Sequence, residues 1–170
     1  PVVTNQNFCQ TGLERCCATQ GYQCGTRNPP IAGSRPPLAG SGQANFGAYP
    51  WQAVILAQDS TFQGSGALID HLHVLTVAHR LNESTVLGRP LRVRLGEWDA
   101  SSASEPIPAQ EYQVARVFVH PQYSASNLRN NIAILRLAAN VPLGQTPSIT
   151  TVTILYSSFD QLFNYTFIIT

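Results

Sequence analysis

Short runs of β-branched and other apolar residues recur through the middle of the chain, separated by clusters of glycine, proline, asparagine and serine. These runs predict β-strands at residues 51–57, 67–69, 74–77, 91–95, 112–119 and 132–137. In the run at 91–95, leucine and valine alternate with arginine, so Arg92 and Arg94 are expected to face solvent. Several short strands at this spacing are typical of an antiparallel barrel or sandwich. The pattern therefore predicts an all-β fold.

The composition changes along the chain, and the changes predict four segments. Residues 1–24 contain all four cysteines. Residues 25–49 are rich in proline and glycine and lack apolar periodicity, which indicates a linker. Residues 50–152 contain the strand runs and are expected to form the folded domain. Residues 153–170 form a divergent tail of aromatic residues, serine and threonine.

Charge and hydropathy exclude two classes of partner. The 170 residues carry a formal net charge of +1, and only 11% of them are charged. Neither nucleic acid nor an anionic membrane surface is therefore an expected partner. No stretch is apolar enough to span a bilayer.

The cysteines and two sequons indicate an oxidising compartment. The four cysteines are Cys9, Cys16, Cys17 and Cys24. Their spacing lacks the two-residue gaps that are usual between metal ligands, so disulfide bonds are favoured over zinc. Asn-x-Ser/Thr sequons at Asn82 and Asn164 agree with a secreted, extracellular glycoprotein.

The adjacent cysteines at 16 and 17 resemble the C-terminal end of an arthropod clip domain, which closes with such a pair. The resemblance implies that residues 1–24 are the remnant of a clip-like disulfide domain. It also implies that Cys9, Cys16 and Cys17 pair with cysteines upstream of Pro1. The alternative is that the four cysteines of this chain pair among themselves.

The segment at 74–79, Val-Leu-Thr-Val-Ala-His, resembles the histidine motif of the trypsin/chymotrypsin-like serine proteases. Three further segments follow the family's order and spacing: Tyr-Pro-Trp-Gln-Ala-Val at 49–54, Gly-Ser-Gly-Ala-Leu-Ile at 64–69 and His-Pro-Gln-Tyr at 120–123. Residues 93–99 and 111–114 are similar to the non-catalytic clip-domain serine protease homologues of insects. The resemblance implies an antiparallel β-barrel corresponding to the N-terminal half of the protease domain. It places His79 at the position of the catalytic histidine.

Two departures from the family pattern concern catalysis. The family's Asp-Ile-Ala-Leu-Leu motif reads here as Asn-Ile-Ala-Ile-Leu, so Asn131 replaces the triad aspartate. An amide cannot supply the negative charge that stabilises the imidazolium, and this change lowers the turnover of a well-characterised triad about ten-thousandfold. The nucleophile motif Gly-Asp-Ser-Gly-Gly occurs nowhere in the chain. The resemblance therefore predicts a catalytically inactive homologue, truncated after the first barrel.

A third departure concerns a disulfide bond. The family has a cysteine before the Gly-Gly-Ser-Leu-Ile motif and another directly after the catalytic histidine, and the two are bonded. Gly64 and Arg80 occupy these positions here. Loss of such a bond typically costs about 2–4 kcal/mol. His79 is expected to be held less rigidly than in an active enzyme.

The loop after residue 96 corresponds to a family loop that sometimes binds Ca2+, which makes Glu97 and Glu105 the candidate ligands. Hard cations need six or more oxygen ligands, and the carboxylate spacing here departs from that of trypsin. A solvated acidic loop is the preferred interpretation, and no cofactor is expected.

The functional prediction is a non-catalytic protein that binds a protease or prophenoloxidase partner outside the cell, in an immune cascade of the melanisation type. This role is implied by the resemblance to the clip-domain homologues. Two alternatives are retained. One is an active serine endopeptidase, which Asn131 and the missing nucleophile motif oppose. The other is a truncated fragment without function.

Overall fold

The computed structural model describes residues 25–37, 42–81, 87–100 and 105–153. The four cysteines at positions 9, 16, 17 and 24 lie outside these residues, as do both sequon asparagines and most of the predicted tail. Predictions that concern them remain predictions. None of the residues that the structure describes belongs to a helix with the length and hydropathy needed to cross a membrane.

Six strands form a closed antiparallel barrel with the strand order β1-β2-β3-β6-β5-β4. Their bounds are β1 Gln52–Ala57, β2 Phe62–Leu68, β3 His73–Thr76, β4 Leu91–Leu95, β5 Gln110–Val119 and β6 Ala133–Leu137. A 3-10 turn, Ala78–Arg80, follows β3. The predicted all-β class is confirmed, and of the two predicted architectures the barrel is the one formed.

The interior of the barrel follows from the alternation of side chains along each strand. Ala53 and Ile55 of β1, Val93 of β4 and Leu135 of β6 are fully buried. Successive side chains of a strand point to opposite faces, so one apolar residue in every two is enough to fill the interior. Partly buried residues of β5, including Val117, pack against this core.

β2 starts five residues before the predicted strand, and the reason is its glycines. The segment contains Gly64, Ser65 and Gly66, which have little intrinsic preference for strands. A side chain at Gly66 would lie 2.7 Å from the Leu75 carbonyl oxygen and from Val74 Cγ1. The close approach of β3 therefore requires glycine here, and this tertiary contact cannot be recognised from β2 alone.

The expectation that Arg92 and Arg94 face solvent is only partly correct. Both lie on the outer face of β4, but their side chains keep only 17% and 31% of their accessible surface. Each forms an ion pair with Glu111 of β5 at 2.7 Å. The register explains this contact, because Arg94 and Glu111 are directly opposite in the β4–β5 ladder.

The residues before β1 pack against the barrel. Phe46 is fully buried and meets the Trp98 ring edge-on, with 6.2 Å between the ring centroids. Trp98 Nε1 donates a hydrogen bond of 2.8 Å to the Ala44 carbonyl. Further upstream, the Asn28 side-chain amide donates to the carbonyl oxygens of Gly47 and Pro147, at 2.9 and 2.6 Å. Much of the segment predicted as a linker thus lies along the barrel surface.

Candidate functional site

The fold brings the turn after β3 next to the start of β6. Thr76, the last residue of β3, is paired with Ala133, the first residue of β6. Two residues before Ala133, Asn131 therefore lies beside the 3-10 turn that contains His79. Ala78 anchors this turn because its side chain is buried in the core, whereas the His79 side chain is exposed.

Asn131 contacts His79 at two points. Asn131 Oδ1 accepts a hydrogen bond of 2.9 Å from the backbone N–H of His79. Asn131 Nδ2 lies 2.8 Å from Nδ1 of the imidazole. The two residues named from the sequence are thus brought together across 52 positions of the chain.

These two contacts fix the position of the imidazole proton. The backbone N–H needs an acceptor, and only the amide oxygen of Asn131 can supply one, so the NH2 group faces the ring. Donation from NH2 requires a lone pair on Nδ1, which leaves the proton of the neutral ring on Nε2. A general base in a serine protease needs the opposite arrangement, with Nε2 free to accept the hydroxyl proton. This geometry does not support proton abstraction by His79.

The two positions of the absent family disulfide are neighbours in the structure. A Cβ atom built on Gly64 would lie 3.4 Å from Cβ of Arg80. Next to them, Thr76 Oγ1 donates a hydrogen bond of 2.8 Å to the Ser65 carbonyl and joins β3 to β2. Noncovalent contacts therefore hold the His79 turn where the family uses a covalent bond.

The two candidate calcium ligands interact with each other and with Arg94. Burial raises the pKa of the Glu97 carboxyl, and its hydrogen bond with Glu105 raises it further, against the lowering effect of Arg94. Burial also acts to raise the pKa of Glu105. The hydrogen bond from Glu97 and backbone N–H groups, including that of Asp99, outweigh burial and lower it. The pair therefore tends to share one proton.

The surroundings of this carboxyl pair agree with a shared proton. Arg94 donates to Glu97 at 2.9 Å, and Glu97 Oε1 is buried without a hydrogen-bond donor in the described part of the chain. Within the same residues, no group of three or more His, Cys, Asp or Glu side chains is placed to hold a metal ion.

An imidazole–carboxylate contact lies outside the predicted site. Asp70 Oδ2 is 3.0 Å from His73 Nδ1, and Asp70 Oδ1 also accepts the backbone N–H groups of Leu72 and His73. This carboxylate closes the turn between β2 and β3. An aspartate three residues before a histidine was the available signal for it.

The fold, and the histidine turn beside β6, define a protein of the trypsin-like class. Residues 39–153 match the family described as Trypsin, and the chain belongs to that family. It is 54% identical to the inactive CLIP domain-containing serine protease A3 of Aedes aegypti, over 94% of this chain and 33% of the relative.

Two other relatives are similar over shorter parts of the chain. The chain is 39% identical to the inactive CLIP domain-containing serine protease A28 of Anopheles gambiae, over 58% of this chain and 27% of the relative. It is 33% identical to phenoloxidase-activating factor 2 of Galleria mellonella, over 74% of this chain and 44% of the relative. The chain thus spans less than half the length of these curated relatives.

The family match and these relatives confirm one prediction from the sequence. The chain contains a trypsin-like domain similar to the insect clip-domain homologues. Several of the relatives are named as inactive serine proteases.

Proposed function

We propose that the protein is a non-catalytic serine protease homologue that acts outside the cell by binding other proteins, as a cofactor or regulator of an immune proteolytic cascade. The observation that carries this proposal is the contact between Asn131 and His79. The amide holds the imidazole in the tautomer that cannot accept a proton at Nε2, while the barrel around it remains intact. A protein that keeps the barrel without a working base is suited to binding rather than hydrolysis.

The cascade in this proposal is of the prophenoloxidase-activating, or melanisation, type. The similarity to phenoloxidase-activating factor 2 supports this assignment. The partner would be a protease or a prophenoloxidase. An extracellular location agrees with the sequons at Asn82 and Asn164, which would carry glycans, and with the clustered cysteines, which would form disulfides.

The proposed domain organisation follows the same comparison. Residues 1–24 would be the end of a clip-like domain, residues 25–49 its connection to the barrel, and residues 50–152 the first barrel of the protease domain. Residues 153–170 would be a divergent tail. Disulfide mapping by mass spectrometry tests the first of these assignments, because cysteines that pair only with one another would contradict the clip interpretation.

Active-site labelling tests the absence of catalysis. The protein is incubated with a fluorophosphonate probe, before and after treatment with an activating protease, as wild type, His79→Ala and Asn131→Asp. We expect no labelled serine in any of the three. Asn131→Asp restores the orienting carboxylate, but the chain has no Gly-Asp-Ser-Gly-Gly motif to supply a nucleophile. Stoichiometric labelling of the wild type that is lost in His79→Ala would instead establish a serine endopeptidase.

A second measurement separates a regulator from a fragment without function. Purified protein is added to cell-free insect haemolymph, and phenoloxidase activity is followed over time. We expect wild type and His79→Ala to change the activity equally, because the imidazole has no catalytic role. No effect at any protein concentration would contradict the cascade role.

A further inference from the structure

The barrel carries an open cleft where β4 and β5 separate. The cleft has a volume of about 290 Å3 and is lined by residues 88–91 before and at the start of β4 and by residues 114–117 of β5. We call it the β5 cleft. Neither His79 nor Asn131 lines it, so its chemistry is separate from that of the site described above.

The β5 cleft exists because β5 remains paired with β6 beyond the point where its pairing with β4 ends. The β4–β5 ladder ends at the pair Arg92 and Gln113, whereas β5 continues to Val119 and is paired there with β6 alone. Pro90 precedes β4 and has no N–H with which to extend the ladder. Between Val114 and Arg116 the β5–β6 register shifts, and such a bulge bends a strand.

One edge of β5 is consequently open. Beyond Gln113, no strand of the described residues pairs with the side of β5 that faces away from β6. Backbone N–H and C=O groups along such an edge can pair with an added strand, which is a recurrent way for proteins to bind extended peptides.

The charges beside this edge are basic. Arg116 of β5 is directly opposite Arg136 of β6, and both side chains are exposed. Among the described residues, neither arginine has a carboxylate partner. Like charges in this cross-strand arrangement destabilise a sheet. On the other side of the cleft lies Arg89, whose charge acts on Asp59.

We propose that the β5 cleft binds an extended acidic segment of a partner protein. The segment would add to the open edge of β5 by main-chain hydrogen bonds and place carboxylates against Arg116, which lines the cleft. Charge argues against a second copy of this chain as the occupant, because pairing of two β5 edges would bring two Arg116 side chains together. The inference rests on the proposed function only in that the protein acts by binding other proteins.

Fluorescence anisotropy with a labelled synthetic peptide tests the proposal. The probe is a hexapeptide in which glutamate and valine alternate, because alternation places the carboxylates on one face of a strand. We expect saturable binding that Arg116→Glu weakens at least about tenfold. The matched control is Arg129→Glu, an equal change of charge at an exposed residue between β5 and β6, which should leave the affinity unchanged.

Thermal unfolding of the same variants separates lost binding from lost folding. Arg116→Glu loses the contact of the guanidinium with the Phe118 ring, 4.8 Å from the ring centroid, but replaces a like-charge pair with an attractive pair opposite Arg136, so its melting temperature should not fall measurably below that of wild type. A variant that loses peptide binding while its barrel remains at least as stable supports a direct contact. Loss of binding only in proportion to loss of stability would overturn the proposal.

Two N-methylated peptides test the added strand itself. In one the first, third and fifth residues are methylated on nitrogen, and in the other the second, fourth and sixth. Only one set of N–H groups can face β5, so one peptide should bind and the other should not. Equal binding of both, or equal binding of a sulfated oligosaccharide with the same loss in Arg116→Glu, would mean a surface that recognises charge alone. Either result, or no binding of the parent peptide, overturns the proposal without affecting the active-site labelling.

Discussion

At the scale of single residues, the amide of Asn131 keeps the contact that an aspartate would make and reverses its proton assignment. A carboxylate could accept hydrogen bonds from both the His79 backbone N–H and Nδ1–H. The amide of Asn131 accepts only from the backbone N–H, and its NH2 group donates to Nδ1. The substitution is nearly isosteric, so the turn and β6 stay joined. Catalytic competence and structural attachment are thus separable at this position.

The shared proton of Glu97 and Glu105 gives a prediction about pH. Because folding raises the pKa of Glu97, ionisation of this group is disfavoured in the folded state, and its contribution to stability is lost as pH rises through the folded pKa. Glu97→Gln removes the ionisation and keeps an N–H donor for Glu105. We expect the stability of this variant relative to wild type to increase from about pH 4 to about pH 7, measured by urea unfolding.

Glu105→Gln is the control, because its stability relative to wild type should change with pH in the opposite direction. Folding lowers the pKa of Glu105, so its ionised form contributes stability above the unfolded pKa, and the contribution is lost as pH falls through the folded pKa. This variant should be less stable than wild type near neutral pH and approach it in acid. If both variants changed in the same direction with pH, the two carboxyls would not share a proton.

At the scale of the strands, the sequence could predict the elements with β-branched and alternating residues and could not predict tertiary contacts. β1, β3, β4 and β6 lie within one residue of their predicted bounds at each end, because their apolar residues carry the pattern. The start of β2 is missed because its glycines do not favour a strand by themselves, and at Gly66 a glycine is required by the close approach of β3. Asn131 and His79 were predicted as a pair from family motifs. The position of the imidazole proton could be assigned only from the distances between Asn131 and His79 in the structure.

Because Gly64 and Arg80 are neighbours, we expect that cysteines introduced at both positions would form a disulfide bond. The Cβ separation of 3.4 Å is close to the range of about 3.5–4.5 Å found in disulfides. We expect Gly64→Cys/Arg80→Cys to form the bond and to raise the free energy of unfolding by about 3 kcal/mol, because the closed loop has about 15 residues. Urea unfolding with and without dithiothreitol measures the gain.

The matched control is Gly64→Ser/Arg80→Ser, which makes similar changes of volume without a bond. It should show no effect of dithiothreitol beyond that of wild type. Peptide mapping identifies the new bond among the native cysteines. Two free thiols at positions 64 and 80 under oxidising conditions would show that the turn and β2 are farther apart than the structure places them.

At the scale of the whole molecule, residues upstream of β1 pack against the barrel as part of the folded unit, and substitution of Phe46 tests this directly. Because Phe46 is fully buried against Trp98, we expect Phe46→Ala to lower the free energy of unfolding by about 3–5 kcal/mol. Phe62→Ala is the control, since Phe62 lies on β2 but is 59% exposed, and it should change stability by about 0.5 kcal/mol or less. Equal effects would mean that the upstream segment is not part of the folded unit.

The central claim is that the chain preserves the surroundings of a catalytic histidine while Asn131 holds that histidine in a non-catalytic tautomer. Long-range 1H–15N correlation NMR of histidine-labelled protein measures this tautomer directly, with the His79 signals assigned from their loss in His79→Ala. Under conditions where the ring is neutral, we expect a proton on Nε2 in wild type and on Nδ1 in Asn131→Asp. A wild-type His79 with its proton on Nδ1 would show that Asn131 does not hold the ring in the non-catalytic tautomer.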